Sequence, residues 1–330
     1  MGYSPKLTAE LCQSCYRLKH YGDVLSVNKI KVDSDTVLSQ LKAMDALFVW
    51  VVDLFYLNES MVDGVSRHLL GKDIYLVGTK RDLLPKTVSD HKINTQINSF
   101  LKEAQVEVVG MSYVGNHGSQ GQQTFLNDLK SKSQKRDIVF FGMTNVGKST
   151  LVNSLSETGI ISTSYLPGTT LDMLSTETSI GTIIDSPGIQ DHDLWIETLD
   201  NATLKILQPQ RAIKPLNYQL NENQSLIIGG LGIVSFIGAK DLSVTCYFPE
   251  GVKVHRTKYE NATSQLDRIM ESDTLKLENE PMILKSHKVR NIKFDCVIEH
   301  VGFVCISGEV SEVSTLFPKS LNIVTRKAYI

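Results

Sequence analysis

The stretch "FFGMTNVGKSTLVNSL" (residues 140–155) opens as an apolar, strand-like run and closes as a helical one. Between them, Gly142-Met-Thr-Asn-Val-Gly147-Lys148-Ser149 fits G-x-x-x-x-G-K-[ST], a pattern whose place is the turn from a strand into a helix. The glycines let the backbone curl until successive N–H groups point at phosphate oxygens. Lys148 brings a point charge to the β- and γ-phosphates, Ser149 brings a hydroxyl to Mg²⁺, and the helix adds its positive N-terminal end. The nucleotide contacts expected here are Asn145, Val146, Gly147, Lys148, Ser149 and Thr150.

Working downstream, "DSPG" (185–188) closes another strand about forty residues on, where Asp185 would hold Mg²⁺ through water and the Gly188 N–H would meet a γ-phosphate. Between the two lies "YLPGTTLD", in which Thr170 or its neighbour Thr169 could bring a second hydroxyl to Mg²⁺ or could cap a helix. Lys148, Thr170 and Gly188 are therefore the candidate catalytic set, and Ser149, Thr170 and Asp185 the candidate Mg²⁺ set.

Upstream the order is unexpected. "TKRD" (79–82) closes the strand-like "DIYLVGTK", and an aspartate there can accept both the ring N1–H and the exocyclic amine of guanine. Adenine offers no such pair. Lys80 would lay its stem along the base. Thr79 stands where such motifs usually carry Asn, which weakens one supporting hydrogen bond. "GMSYVG" (110–115) follows the next strand and would bring the Ser112 and Tyr113 backbone near the guanine O6. The base-reading elements thus precede the phosphate-reading ones. A circular permutation explains that order, with "KSKSQKRD" (130–137) as the new join and the cut placed just after the helix that follows "DSPG".

Strand-like runs (46–53, 73–80, 106–112, 137–142, 182–188) alternate with helical patterns (60–70, 89–104, the run "QQTFLNDLKSK", 148–155, 193–207), which predicts a three-layer α/β domain with a mostly parallel sheet. After Gln208 the chain turns to short, Gly-punctuated runs with one possible helix in "TSQLDRIMES". The expected organisation is a Cys-containing lead (1–25), a permuted GTPase domain (26–207) and a β-rich C-terminal domain (208–330). Its basic stretches "HRTKY" (255–259) and "LKSHKVRNIK" (284–293) could contact phosphates or form a solvated strand face.

These motifs resemble the YqeH family of circularly permuted GTPases implicated in small-ribosomal-subunit assembly. The resemblance runs nearly end to end, through "LCQSCYRLKHY", "VVDLFYLNES", "TNVGKSTLVN", "TSYLPGTTLDM", "DSPGI", "YQLNENQSL", "GGLG" and "VHRTK". It implies GTP hydrolysis with Mg²⁺, a C-terminal domain that binds RNA or protein, and the small ribosomal subunit as partner. It suggests K⁺ stimulation, since Asn145 matches a P-loop asparagine that ligates K⁺ in related GTPases. It also implies an N-terminal zinc knuckle of two Cys pairs. Only Cys12 and Cys15 are present, with His20 as a possible third ligand, so zinc is expected only if a second pair is supplied. Ile189 occupies the position of the water-orienting Gln of Ras-like enzymes, which implies a slow intrinsic rate. Asp53, at a strand end, either caps the following loop or serves catalysis.

Composition bounds the rest. The chain has 330 residues, is 42% hydrophobic and carries a net charge of −2, so any nucleic-acid contact must come from local patches. Five cysteines do not make a disulfide framework, no secretory signal is read at the N-terminus, and a reducing cytoplasm is expected, with no membrane partner. A nucleotide-regulated scaffold with negligible turnover is the alternative to a working GTPase; "TKRD" argues against an ATP-using enzyme. Asp82→Asn should trade GTP for xanthosine triphosphate, because an amide donor suits the extra carbonyl of xanthine. Wild-type GTP affinity in a titration of this variant would remove "TKRD" from the base site.

Overall fold

"ALFVWVVD" is apolar at every position but the last because it lies in the middle of a sheet covered on both faces. A computed structural model describes residues 32–115, 120–156, 162–165, 171, 173–190, 195–209, 211–277, 280–288 and 293–329. Helix α1 (Ser34–Lys42), capped by the Asp33 side chain, leads into strand β1 (Ala46–Asp53). There follow α2 (Val65–His68), β2 (Ile74–Thr79), α3 (Asp90–Ala104), β3 (Gly110–Tyr113), α4 (Gln120–Ser133), β4 (Asp137–Phe141) and α5 (Lys148–Ser156). Strands β5 (Ser162–Tyr165), β6 (Leu174–Thr178) and β7 (Gly181–Asp185) complete a seven-stranded sheet in the order β3-β2-β1-β4-β7-β6-β5. Its first five strands are mutually parallel, and β6 and β5 run antiparallel.

The seam of the permutation lies at the centre of this sheet. β1 pairs β4 in parallel register from Ala46–Asp137 to Trp50–Phe141, although 83 residues lie between the two strands (Asp53 to Asp137). The join is short: α4 ends at Ser133, Gln134 and Lys135 both take positive φ, and β4 begins at Asp137. The cut lies elsewhere than expected. The Gln190 N–H donates to the Val32 carbonyl at 3.1 Å, so the chain that leaves "DSPGIQ" meets the segment that opens α1. The helix following this element in space is α1, whose Val37, Leu38 and Leu41 are fully buried in the first core. The cut therefore precedes that helix.

The segment expected to be that helix behaves differently. A 3₁₀ turn (Trp195–Thr198) and α6 (Asn201–Leu207), which Asp200 caps, bury Trp195 and Leu207 in the second core. Trp195 and Leu207 thus pack with the C-terminal half, while Ile213, further along, is buried in the first core. The helix expected over 60–70 also shrinks to α2, because Gly64 adopts a left-handed conformation (φ 80°) just before it.

The C-terminal half is an antiparallel sheet of β8 (Leu216–Ile228), β9 (Gly232–Tyr247), β10 (Val254–Lys258), β11 (Met282–Lys288), β12 (Lys293–Ile298), β13 (Gly302–Glu309), β14 (Glu312–Pro318) and β15 (Ile323–Lys327). Helix α7 (Ala262–Ser272) packs Ala262 and Leu266 on Ile227 and Ile233. The long β9 pairs β8 along one edge and β14, then β13, along the other. Phe294 to Ile298 are buried without alternation. Cys296 and Ile298 face the second core, while Val297 joins the first core together with Phe303 and Cys305 of β13. Burial pushes the Cys296 and Cys305 thiols up to about 12, so at neutral pH they are protonated and act as small apolar groups. Cys12, Cys15 and His20 lie outside the described residues.

One ion pair sits inside the contact between the halves. Asp295 is fully buried and its Oδ2 accepts from Arg326 Nε (3.1 Å) and the Tyr329 N–H (2.9 Å). The guanidinium lies 4.9 Å from the ring centroids of both Phe303 and Tyr329. Arg326→Met alone strands a buried carboxylate and should cost about 3–5 kcal/mol in urea denaturation. Adding Asp295→Leu should recover much of that loss; no recovery would mean that charge pairing is not what the pair contributes.

Candidate nucleotide site

The phosphate loop, "DSPG" and "TKRD" lie at one edge, the carboxyl ends of the parallel strands, where open α/β sheets bind ligands. After β4 the loop Gly142–Gly147 turns through positive φ at Gly142, Asn145 and Gly147. A Cβ on Gly142 would stand 2.4 Å from the Val51 carbonyl oxygen, so this position admits only hydrogen. The loop leads directly into α5, and the Leu151 N–H bonds back to the Gly147 carbonyl at 2.9 Å.

Lys148 is 7% exposed, and its Nζ donates to Asp185 Oδ1 at 2.6 Å and to the Ser186 carbonyl. Asp185 Oδ2 accepts from the Ser149 hydroxyl at 3.4 Å. An ammonium, a hydroxyl and a carboxylate therefore meet at one point between β4 and β7. The "DSPG" turn is stitched to the loop: the Thr144 N–H donates to the Ile189 carbonyl (2.7 Å) and the Ile189 N–H to the Gly142 carbonyl (3.0 Å). A Cβ on Gly188 would approach Thr144 Cγ2 to 2.8 Å. Ile189 is fully buried, so its side chain points into the core and away from the site. Thr170 and Thr169 lie outside the described residues. Among the described residues no cluster of three His, Cys, Asp or Glu side chains could hold a metal ion.

On the base side, the Thr79 hydroxyl donates to the Val52 carbonyl (3.1 Å) and the Val146 carbonyl, tying β2 to β1 and to the phosphate loop. The Thr79 side chain thus bridges the base motif to the phosphate loop. Lys80 takes a left-handed conformation (φ 59°), and its Nζ reaches the Asn145 carbonyl at 3.0 Å and Asp53 Oδ2 at 2.5 Å. Asp53 also accepts from the Phe55 N–H (2.8 Å) and the Tyr56 N–H (3.3 Å), so it caps its loop. A cavity of about 270 Å³ opens between Thr79, Lys80, Asp82, Gly147 and Thr150.

The loop after β3 is shifted from its expected place. Ser112 and Tyr113 are strand residues paired with Val77 and Gly78. The Ser112 hydroxyl lies 2.5 Å from the Tyr75 hydroxyl, and the Tyr113 hydroxyl turns to Asn94. Neither lines the cavity; Val114 and Gly115 do, with Gly115 packed on the Asp82 carboxyl. The strand ends at Tyr113, one residue beyond the expected run 106–112. Gln122, Leu151, Ser154 and Pro209 also line the cavity. Helical spacing from Lys148 would have pointed to Leu151, but nothing in the sequence points to Pro209.

The family described as 50S ribosome-binding GTPase matches residues 137–227, beginning at the first residue of β4. The C-terminal domain described as YqeH-like matches residues 240–329. The uncharacterized protein YqeH of Bacillus subtilis is 31% identical over all of this chain and 94% of its own length. The chain belongs to the YqeH family. NO-associated protein 1 of Arabidopsis thaliana is 25% identical over 92% of this chain and 62% of its own length. The small ribosomal subunit biogenesis GTPase RsgA of Vibrio cholerae is 31% identical over 42% of this chain and 36% of its own. This YqeH-family protein is a GTPase related to ribosome-biogenesis GTPases, and its ligands are GTP and GDP. Thr79→Val keeps the shape of the buried side chain but removes the hydroxyl that ties β2 to the Val146 carbonyl of the phosphate loop. It should cost about 1–3 kcal/mol in thermal denaturation, with Thr79→Ser close to wild type.

Proposed function

We propose that this chain is a Mg²⁺-dependent, K⁺-stimulated GTP-hydrolysing switch that acts in assembly of the small ribosomal subunit. The observation that carries the reading is the meeting of Lys148, Ser149 and Asp185 beside a cavity lined by Thr79, Lys80 and Asp82. The residues fit a nucleotide: a loop of glycines that excludes side chains, the N-terminus of a nine-residue helix and a nearly buried ammonium converge where phosphates would lie. Asp82 would take the guanine N1–H and exocyclic amine, with the Lys80 stem against the base. Ser149 and Asp185, oxygen donors suited to Mg²⁺, would hold the metal, joined by Thr170, and its positive charge would offset the charge that develops on the phosphates. Gly188 would offer its N–H to the γ-phosphate. Asn145, exposed in its left-handed turn, would ligate K⁺.

The rate is expected to be slow. Buried Ile189 offers no polar group to orient water, and the Gln190 backbone is held by Val32. The small-subunit role rests on the relation to the family and to RsgA. For an RNA contact, β10 and β11 each pair a single neighbour, and Arg256, Lys258, Lys285 and Lys288 are exposed along them. No helix among the described residues is long and apolar enough to cross a membrane, and a cytoplasmic site of action is part of the proposal. Zinc at Cys12 and Cys15 would need a second Cys pair.

Lys148→Ala and Ser149→Ala should each lower GTP hydrolysis at least about a hundredfold with circular dichroism unchanged. Asn145→Ala should lose the response to K⁺ alone, and equal rates of the unmutated protein in K⁺ and Na⁺ would sink the potassium role. Small subunits should co-sediment with the full chain more tightly with a non-hydrolysable GTP analogue than with GDP, and less at higher salt. Charge reversal at Arg256 and Lys258 should weaken that binding while leaving GTP affinity intact.

A further inference from the structure

The loop after β1, Leu54–Ser60, is gripped at both ends. At its start Asp53 holds Lys80 of the base motif with one carboxylate oxygen and the Phe55 and Tyr56 N–H groups with the other. The Ser60 hydroxyl sits 3.0 Å from the Asp53 nitrogen and donates to the Tyr56 carbonyl, closing the loop on itself. Every outward-facing side chain of the loop then meets the C-terminal half. The Tyr56 hydroxyl donates to the Leu207 carbonyl at 2.6 Å, Asn58 accepts from Arg326 Nη1, and Glu59 accepts from the His300 N–H at 2.9 Å. The Phe55 ring lies 6.1 Å from Phe303. From Leu207 the chain returns across the nucleotide edge: Pro209 lines the base cavity, and the Ile213 N–H donates to the carbonyl of Leu83, the neighbour of Asp82, at 2.8 Å.

We infer that Asp53 is a positioning residue for guanine binding, and that the C-terminal domain, seated on the loop 54–60 and joined to the base side through Leu207, Pro209 and Ile213, sets nucleotide affinity through that side of the site. This rests on the reading of "TKRD" as the base site. An ammonium on a flexible stem has many rotamers, and ordering them opposes binding. Lys80 is 29% exposed, and its partner carboxylate is 4% exposed, so the pair is shielded from solvent and fixed in one geometry before any ligand arrives. The loop that aims Asp53 is in turn fixed by groups of the C-terminal domain. Both routes reach Lys80 and Asp82, which meet parts of the ligand that GTP and GDP share. The C-terminal seat therefore stabilises both nucleotide states alike, and by reciprocity each nucleotide tightens the seat.

The test is titration of the full chain with a fluorescent GDP analogue and a fluorescent non-hydrolysable GTP analogue. Asp53→Asn keeps the capping oxygen but loses the charge on Lys80, and should weaken both ligands about tenfold. Tyr56→Phe and Asn58→Ala lie away from the cavity, delete one contact each and leave the fold intact. Each should weaken both ligands about threefold. In a Lys80→Met background Asp53→Asn should add little, a non-additivity that a merely structural aspartate would not produce. Amides near 300–303 and 326–329 should exchange more slowly with either nucleotide. Unchanged affinities in Tyr56→Phe and Asn58→Ala, an additive Asp53–Lys80 pair, or a loss confined to the triphosphate would each overturn the inference. A wild-type protein that binds neither guanine nucleotide would instead overturn the base-site reading beneath it.

Discussion

The pairing of β1 with β4 is the constraint on which the rest depends. Both strands lie in the middle of the sheet and, Asp137 apart, are buried, so their ladder groups must be satisfied by one another and by the flanking strands. Once Ala46–Trp50 stands beside Asp137–Phe141, the phosphate loop after β4 and the capped loop after β1 emerge side by side. The base motif after β2 follows one strand further along. A sheet of this kind is indifferent to the order in which its strands are made, provided the joins are short and at the surface. The three-residue step from Ser133 to Asp137 and the Gln190–Val32 contact mark the two places where that indifference was used.

The permutation has a mechanical consequence. In this chain the segment that leaves "DSPGIQ" does not return to cover the parallel sheet; that duty falls to α1 at the other end of the sequence. The chain is instead carried into the second core, where Trp195 and Leu207 are buried. The C-terminal domain then sits on the base side, with Phe303, Tyr247 and Tyr329 extending the first core and Arg326 held between rings. An interface built from aromatic rings and an ion pair on a fully buried carboxylate is not a loose tether. It packs the two halves together at the edge that carries the candidate nucleotide site.

Much of this was legible in the residues. The phosphate loop, the "DSPG" turn and "TKRD" are short motifs whose chemistry is local, and each lies at the strand end that its sequence implies. Helix α3 followed from its apolar stripe, with Ile93, Ile97 and Leu101 buried, and α7 from "TSQLDRIMES". Strands β5 and β6 were not foreseen, because four or five residues with mixed polarity carry no clear period. The loop after β3 was misplaced because a strand's end is set by its neighbour: β3 continues as long as β2 offers carbonyls, up to the Val114 N–H on Gly78.

By itself the sequence determined the residue chemistry on offer: groups suited to phosphate, a carboxylate with the acceptors that guanine's donors would need, and motifs in permuted order. It determined these because backbone curvature at glycine, charge at Lys148 and hydrogen-bonding capacity at Asp82 belong to the residues themselves. Only the tertiary structure decided where the cut falls, that 195–207 packs on the second core, that Asp53 answers to Lys80, and that Pro209 lines the base cavity. Those are relations between residues 27 (Asp53 and Lys80) to 158 (Val32 and Gln190) positions apart. They are fixed by which apolar faces bury one another, and no local period or spacing encodes that choice.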